Sequence, residues 1–231
     1  MKLLRFFKLF VLAWLPIVLI LYLVYSVGII KNRLYEKVNN YDFEALLKKK
    51  GYAYFTKGDY NLNIIGVRAK GTTVTNMYDD ILIVIYNENG KPVRKCYNIT
   101  TDPGMYYMEN PMNSKGTAIL VPNQYRSTWK IGLHRGEYEA LCQAKAVKVY
   151  RDGNQNRIYN LAPETIDTGM FGINIHRSAK IFTLNAVNQY SAGCQVFNSK
   201  SDFVEFMKLC NKSAKIFGNS FTYTLIKEED L

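Results

Sequence analysis

Asp79-Asp80-Ile81-Leu82-Ile83-Val84-Ile85-Tyr86-Asn87-Glu88-Asn89-Gly90 is the stretch that decides the architecture. An unbroken apolar run from Ile81 to Tyr86, rich in β-branched residues, is too short for a core helix and reads as a buried strand. Asn87-Glu88-Asn89-Gly90 turns the chain into a partner strand from Val93 to Tyr97, closing a hairpin. Outward from it the pattern repeats. Thr101-Asp102-Pro103-Gly104 and Asn110-Pro111 mark loops, and Val147 to Tyr150, Asp152-Gly153 and Ile158-Tyr159 predict a second hairpin.

Helix enters late. Phe203, Phe206, Met207, Cys210, Ala214 and Phe217 recur at helical spacing, with Ser201 or Asp202 as N-cap and Gly218 past the end. A last strand from Phe221 to Ile226 alternates Phe221, Tyr223 and Leu225 with Thr222, Thr224 and Ile226. Eighteen Tyr and twelve Phe in 231 residues fit pleated, half-buried surfaces. The fold class is therefore α+β and β-rich, with a mixed or sandwich-like sheet and one late helix packed on it.

The N-terminus obeys different rules. Leu9 to Ile30 carry no charge and are mostly apolar, long enough to cross a hydrocarbon core of about 30 Å as a helix. A cleaved signal peptide has a shorter apolar region that ends at small residues, whereas Tyr25-Ser26-Val27-Gly28 is a poor cleavage site. Residues 1–30 are thus expected to be an uncleaved signal anchor, held in the lipid bilayer through residues 9–30, with the body exported to the periplasmic or outer face. Residues 31–51 are polar and charged, with a short helical pattern at Phe43, Leu46 and Leu47, and read as a stalk. Residues 52–231 are expected to form one folded domain.

The formal charge of +11 raises the question of nucleic acid. Residues 1–50 hold nine Lys or Arg against three acidic residues, a net of +6, which leaves only +5 for the remaining body. Charge that flanks an apolar anchor serves topology and anionic lipid. No nucleic-acid partner is expected.

The four cysteines (Cys96, Cys142, Cys194, Cys210) include no Cys-x-x-Cys pair, and neither a metal cluster nor a phosphate loop is evident, so no cofactor is expected. Cys210 falls on the apolar stripe of the late helix. Cys96 and Cys142 are open to pairing or to remaining free, since sequence does not give their distance. Cys194 stands apart, in Ser191-Ala192-Gly193-Cys194-Gln195-Val196-Phe197, where Gly193 allows a tight turn that exposes amides.

One of the two histidines lies eighteen residues earlier, in Phe171-Gly172-Ile173-Asn174-Ile175-His176-Arg177-Ser178. Strand alternation puts Ile173 and Ile175 on the core face and Asn174 and His176 on the other. A thiol, an imidazole base and a carbonyl to orient the ring would suffice for nucleophilic catalysis. Taken alone, a Cys and a His at this spacing are as readily structural.

These flanks resemble the L,D-transpeptidase family with its YkuD-type catalytic domain. The family signature is a strand-end His, a short gap, then Ser/Thr-His-Gly-Cys, and here Ile175-His176, fourteen residues and Ser191-Ala192-Gly193-Cys194 match it at all but one position. The likeness extends more loosely over residues 60–226, through Ile81 to Tyr86 and Gly116-Thr117-Ala118-Ile119-Leu120-Val121-Pro122 leading to Tyr125. It implies a cysteine acyltransferase on peptidoglycan stem peptides. Cys194 would attack the carbonyl of the third residue and expel D-Ala, His176 would hold the proton, and a carbonyl at Arg177 or Ser178 would orient its ring. Ser191 belongs to the motif, and the amides of Gly193 and Cys194 would cradle the oxyanion. A working site of this kind is expected to hold Cys194 at a low pKa.

Two positions depart from the pattern. Ala192 stands where the family has a second His, and Val196 where an Arg is common. Arg177 could supply a guanidinium for a stem-peptide carboxylate, or simply form a surface ion pair. His134, in Gly132-Leu133-His134-Arg135-Gly136, could replace the missing imidazole, or be a hydrogen-bonded structural residue. Asn174 is a further candidate for binding substrate. A peptidoglycan peptidase or lysis enzyme of the same fold, or a non-catalytic wall-binding or virion structural protein, are the alternative readings.

Overall fold

A computed structural model describes residues 34–178 and 185–231, together with Pro16 and Val18. The expected anchor at 9–30 otherwise lies outside the described residues, and among the described residues no helix is long and apolar enough to cross a membrane. The chain divides into a unit ending at Asn40, which includes a helical stretch at 34–39, and a compact body from Tyr41 to Leu231.

The body is a closed barrel of eight strands, mixed in its pairing as expected but one closed sheet rather than a sandwich. Helix α1 (Phe43–Lys49) precedes β1 (Asn63–Arg68), β2 (Asp80–Glu88) and β3 (Lys91–Thr100). Helix α2 (Met105–Glu109), β4 (Thr117–Leu120), β5 (Asn123–His134), β6 (Tyr138–Gln143), β7 (Val147–Asp152) and β8 (Ile166–Gly169) follow. The chain ends with β9 (Ile175–Arg177), β10 (Gln195–Phe197), α3 (Lys200–Phe217) and β11 (Phe221–Lys227). Around the barrel the order is β1-β11-β5-β6-β9-β10-β3-β2, while β4, β7 and β8 form a separate three-stranded sheet. Closure removes the free edges that a β-rich body would otherwise expose.

The opening hairpin is β2 and β3, antiparallel from Asp80 opposite Ile99 to Glu88 opposite Lys91. All residues from Asp80 to Tyr86 are buried, so the strand has no solvent face and its sequence does not alternate. The same holds for β11, where Tyr223, Thr224, Leu225 and Ile226 are all buried despite their alternation. The second hairpin differs from expectation. Strand β7 pairs with β8 and β4, while Ile158 makes only an isolated bridge to Thr73.

The N-cap of α3 is Ser199, two residues before the expected Ser201 and three before Asp202. Ser199 accepts the Asp202 amide at 3.3 Å, and Gly218 ends the helix at φ 87°. Its apolar stripe joins the barrel core, with Phe206 packed on Phe197 at 5.1 Å and on Tyr97 at 6.5 Å between ring centroids. A side chain of that size, fully buried, contributes about 2–3 kcal/mol. Residues 41–51 are body rather than stalk: Phe43, Leu46 and Leu47 are buried, the Arg94 guanidinium lies 5.5 Å over Phe43, and Lys50 meets Asp230 at 2.6 Å.

All four cysteines are free thiols. Cys96 on β3 and Cys142 on β6 have β10 and β9 between them in the barrel. Strands spaced about 4.8 Å apart put such a pair well beyond the roughly 7 Å between Cα atoms that a disulfide spans.

Candidate active site

Strands β9 and β10 are short and parallel, with Gln195 opposite Ile175, Val196 opposite His176 and Phe197 opposite Arg177. This pairing brings the two candidate motifs side by side. Ile173 and Ile175 face the core as expected, and Trp129 donates from Nε1 to Ile173 O at 2.7 Å, fixing the strand that leads to His176. Gln195 points into the barrel, where its Oε1 accepts the Tyr223 hydroxyl at 2.8 Å. Cys194 and Val196 therefore lie on the outer face with Asn174 and His176.

His176 is buried, and its Nδ1 lies 2.8 Å from Arg177 O. A carbonyl only accepts, so Nδ1 carries the proton and Nε2 is left as the basic nitrogen. Tyr138 donates to the same carbonyl at 3.2 Å and stands 3.4 Å from Nδ1. Burial, with His134 next, pushes the His176 pKa down to about 3. The ring is neutral at pH 7.

His134 joins it. The two imidazoles stack with centroids 4.1 Å apart and planes 18° from parallel. Asn174 Oδ1 accepts the Gln143 amide at 2.9 Å, which turns Nδ2 toward His134 Nδ1 at 3.1 Å. His134 Nδ1 is therefore the acceptor and its proton sits on Nε2. Its pKa is lowered by burial and by Arg135.

Cys194 sits at the end of a latched turn. Ser191 Oγ donates to Cys194 O at 2.8 Å and accepts the Gly193 amide at 3.2 Å. Gly193 adopts φ 120°, and a Cβ there would meet Ala118 O at 2.3 Å, so no other residue fits. The Gly193 amide is occupied by Ser191, which corrects the expected two-amide oxyanion hole. Of the two amides, that of Cys194 makes no hydrogen bond among the described residues.

The thiol donates to Gly172 O at 3.3 Å and receives the Asn174 amide at 3.4 Å, and no hydrogen bond joins it to the imidazole. Burial pushes its pKa up to about 11, against a smaller lowering by the Asn174 amide. That reverses the low pKa expected from the sequence, for a physical reason: neither neutral neighbour offers the positive charge that would hold a thiolate. The resting pair is thiol and imidazole.

No family model, curated protein or solved structure matches the chain. Chemistry is therefore read from the site itself. Among the described residues no group of three or more His, Cys, Asp or Glu side chains is placed to hold a metal ion.

Two cavities flank the turn. One, of about 290 Å³, is lined by His134, Tyr138, His176 and Arg177 among others, and the other, of about 300 Å³, by Ala118, Met170, Phe171 and Ala192. Arg177 lies 4.2 Å over the Tyr138 ring and makes no ion pair among the described residues.

Sequence reasoning missed Gln143 and Tyr138. Gln143 Oε1 accepts the amides of Phe171 and Ile173 at 3.1 and 2.9 Å, and Nε2 donates to Gly169 O at 2.9 Å. It straps down the segment that supplies Gly172 O and Asn174. No motif flags a lone glutamine at a strand end, and nothing in the sequence places Tyr138 beside a histidine 38 positions away.

Proposed function

We propose that this chain is a cysteine acyltransferase acting on peptidoglycan stem peptides, similar in chemistry to the L,D-transpeptidases. The observation that carries the reading is the parallel β9–β10 pair, which sets Cys194 on one face with a His176 whose tautomer leaves Nε2 free. In the reaction, the thiol proton leaves Gly172 O for His176 Nε2 as Sγ attacks the carbonyl carbon of the third stem residue. The oxyanion meets the Cys194 amide. Collapse breaks the peptide bond, and the departing amine takes the proton back from Nε2. The thioester then passes its acyl group to an incoming amine, forming a cross-link, or to water.

A resting neutral pair suits this sequence. Proton transfer coupled to attack needs no standing thiolate in a buried site, where an isolated charge is costly. An anchor at residues 9–30 would hold the body at the outer face of the membrane, against its polymeric substrate.

Engagement of the Gly193 amide favours a second reading, a wall-binding relative with weakened catalysis, because one oxyanion donor is worth about a hundredfold or more in rate. Mass spectrometry of muropeptides incubated with the full-length chain separates the two. New cross-links or loss of D-Ala, abolished by Cys194→Ala and by His176→Ala, support acyl transfer; unchanged muropeptides that nonetheless co-sediment with the protein support binding alone.

A further inference from the structure

The turn that carries Cys194 is held from two sides. On one, Ser191 Oγ donates to Cys194 O at 2.8 Å and accepts the Gly193 amide at 3.2 Å. On the other, inside the barrel, Gln195 Nε2 donates to Gly193 O at 3.3 Å. Gly193 N, Gly193 O and Cys194 O are thus all engaged, and the Cys194 amide makes no hydrogen bond among the described residues.

Gln195 can bind there in one orientation only. It is fully buried on β10, and both partners of Nε2, Gly193 O and Thr101 O at 3.5 Å, are carbonyls that only accept. Its Oε1 therefore faces the Tyr223 hydroxyl, which donates at 2.8 Å and whose pKa burial pushes up, so that it stays protonated. Room for that hydroxyl comes from Gly66 on β1, where a Cβ would collide with it. Thr101 O is itself fixed by the buried Arg68, which donates from Nη2 at 3.0 Å and pairs with Asp102 at 2.8 Å. Strands β1 and β11 and the end of β3 between them lock the Gln195 amide.

A trans peptide group is planar, with its C=O and N–H pointing opposite ways. Pinning Gly193 O toward the barrel interior therefore turns the Cys194 N–H to the outer face, where Cys194 and His176 lie. A donor on the carbonyl also polarises the group and strengthens its N–H. We propose that Gln195 is a positioning residue for acyl transfer, aiming through the Gly193–Cys194 peptide the amide that receives the oxyanion. This deepens the acyl-transfer reading above and rests on it. With the Gly193 amide taken by Ser191, the turn has this one N–H left to offer, and its direction governs how far a tetrahedral intermediate is stabilised.

The test compares two reactions of one thiol on the full-length chain. p-Nitrophenyl acetate acylates Cys194: an S–C bond forms, the C–O bond to p-nitrophenolate breaks, the thiol proton goes to His176, and an oxyanion forms on the way. Iodoacetamide alkylates it by displacing iodide and forms no oxyanion. Both rates are read at Cys194 by peptide mass spectrometry at one pH, and the thiolate fraction cancels in their ratio. The wild-type ratio of acylation to alkylation should exceed that of N-acetylcysteine by about tenfold or more. Gln195→Met, which keeps the shape and removes the donor, should lower it by about tenfold, part of the roughly hundredfold or more that a whole oxyanion donor contributes. Tyr223→Phe, which leaves Gln195 in place and frees its amide to turn, should lower it by about threefold, and it carries the test if Gln195→Met does not fold. Cys210→Ala, a core truncation outside the network, should leave it unchanged. In turnover of a stem tetrapeptide, Gln195→Met should lower kcat and leave KM. A ratio that falls in the variants while wild type turns over no peptide keeps the positioning role and refutes the peptide reaction. A ratio unchanged in both variants, or a wild-type ratio no higher than that of N-acetylcysteine, overturns the positioning role whatever the peptide result.

Discussion

Acid should destabilise this protein through His176 in a way that one substitution isolates. The native imidazole has a pKa of about 3, whereas in the unfolded chain it returns to about 6.5. Between these values the unfolded chain binds a proton that the native protein refuses, so the stability contributed by the neutral ring is complete above about pH 6.5 and is lost as pH falls toward 3. From pH 7 to pH 4 the loss amounts to about 3 kcal/mol. Other groups titrate in the same range: burial raises Asp80 and Asp102, which act in the opposite sense, and lowers His134, which acts in the same sense. A difference against His176→Asn cancels them. Urea titrations of both proteins at pH 7, 5 and 4 should show the stability gap between wild type and variant shrinking by about 3 kcal/mol as the pH falls. A gap that stays constant would mean that the ring titrates normally, and the argument for a neutral, Nε2-basic His176 would collapse.

Five further outcomes follow from the same geometry. The rate of Cys194 alkylation by iodoacetamide should climb through pH 9 and level off only near 11, since burial raises the thiol; a plateau near neutrality would reveal a thiolate–imidazolium pair instead. Gly193→Ala should cost roughly 2 kcal/mol or more, measured by chemical denaturation, because its Cβ would press on Ala118 O in a left-handed backbone, and Cys194 should lose its selective reactivity with it. Gln143→Ala should cost about 2–3 kcal/mol by leaving the Phe171 and Ile173 amides without their acceptor, while Cys210→Ala, a small truncation in the core, should cost about 1–3 kcal/mol and keep activity. Ala192→His places an imidazole in a cavity of about 300 Å³ and should shift products from hydrolysis toward cross-links in a muropeptide assay.

Local signals were legible wherever chemistry was local. The apolar run at Ile81, the turn at Asn89-Gly90 and the stripe of α3 each became the element their residues favour, since each depends on neighbours in sequence. Barrel closure was not legible, because it depends on which strands meet: β1 beside β11, and β9 beside β10, are parallel pairs with no hairpin between them to announce the contact. The same limit governs the site. Alternation placed Asn174 and His176 together, but the stacking of His134 on His176 and the strap from Gln143 join residues 26 to 42 positions apart, and only the folded barrel makes them neighbours. The thiol pKa was misjudged for a related reason, since burial is a property of the assembled site rather than of the Ser191-Ala192-Gly193-Cys194 motif.

The most direct measurement of the central claim is intact-protein mass spectrometry of the full-length chain incubated with a stem tetrapeptide ending in D-Ala, with released D-Ala quantified alongside. The account predicts an acyl adduct on Cys194, D-Ala released in step with it, and neither in Cys194→Ala. Release of D-Ala undiminished in Cys194→Ala, or an intact peptide beside an unmodified Cys194, would contradict it.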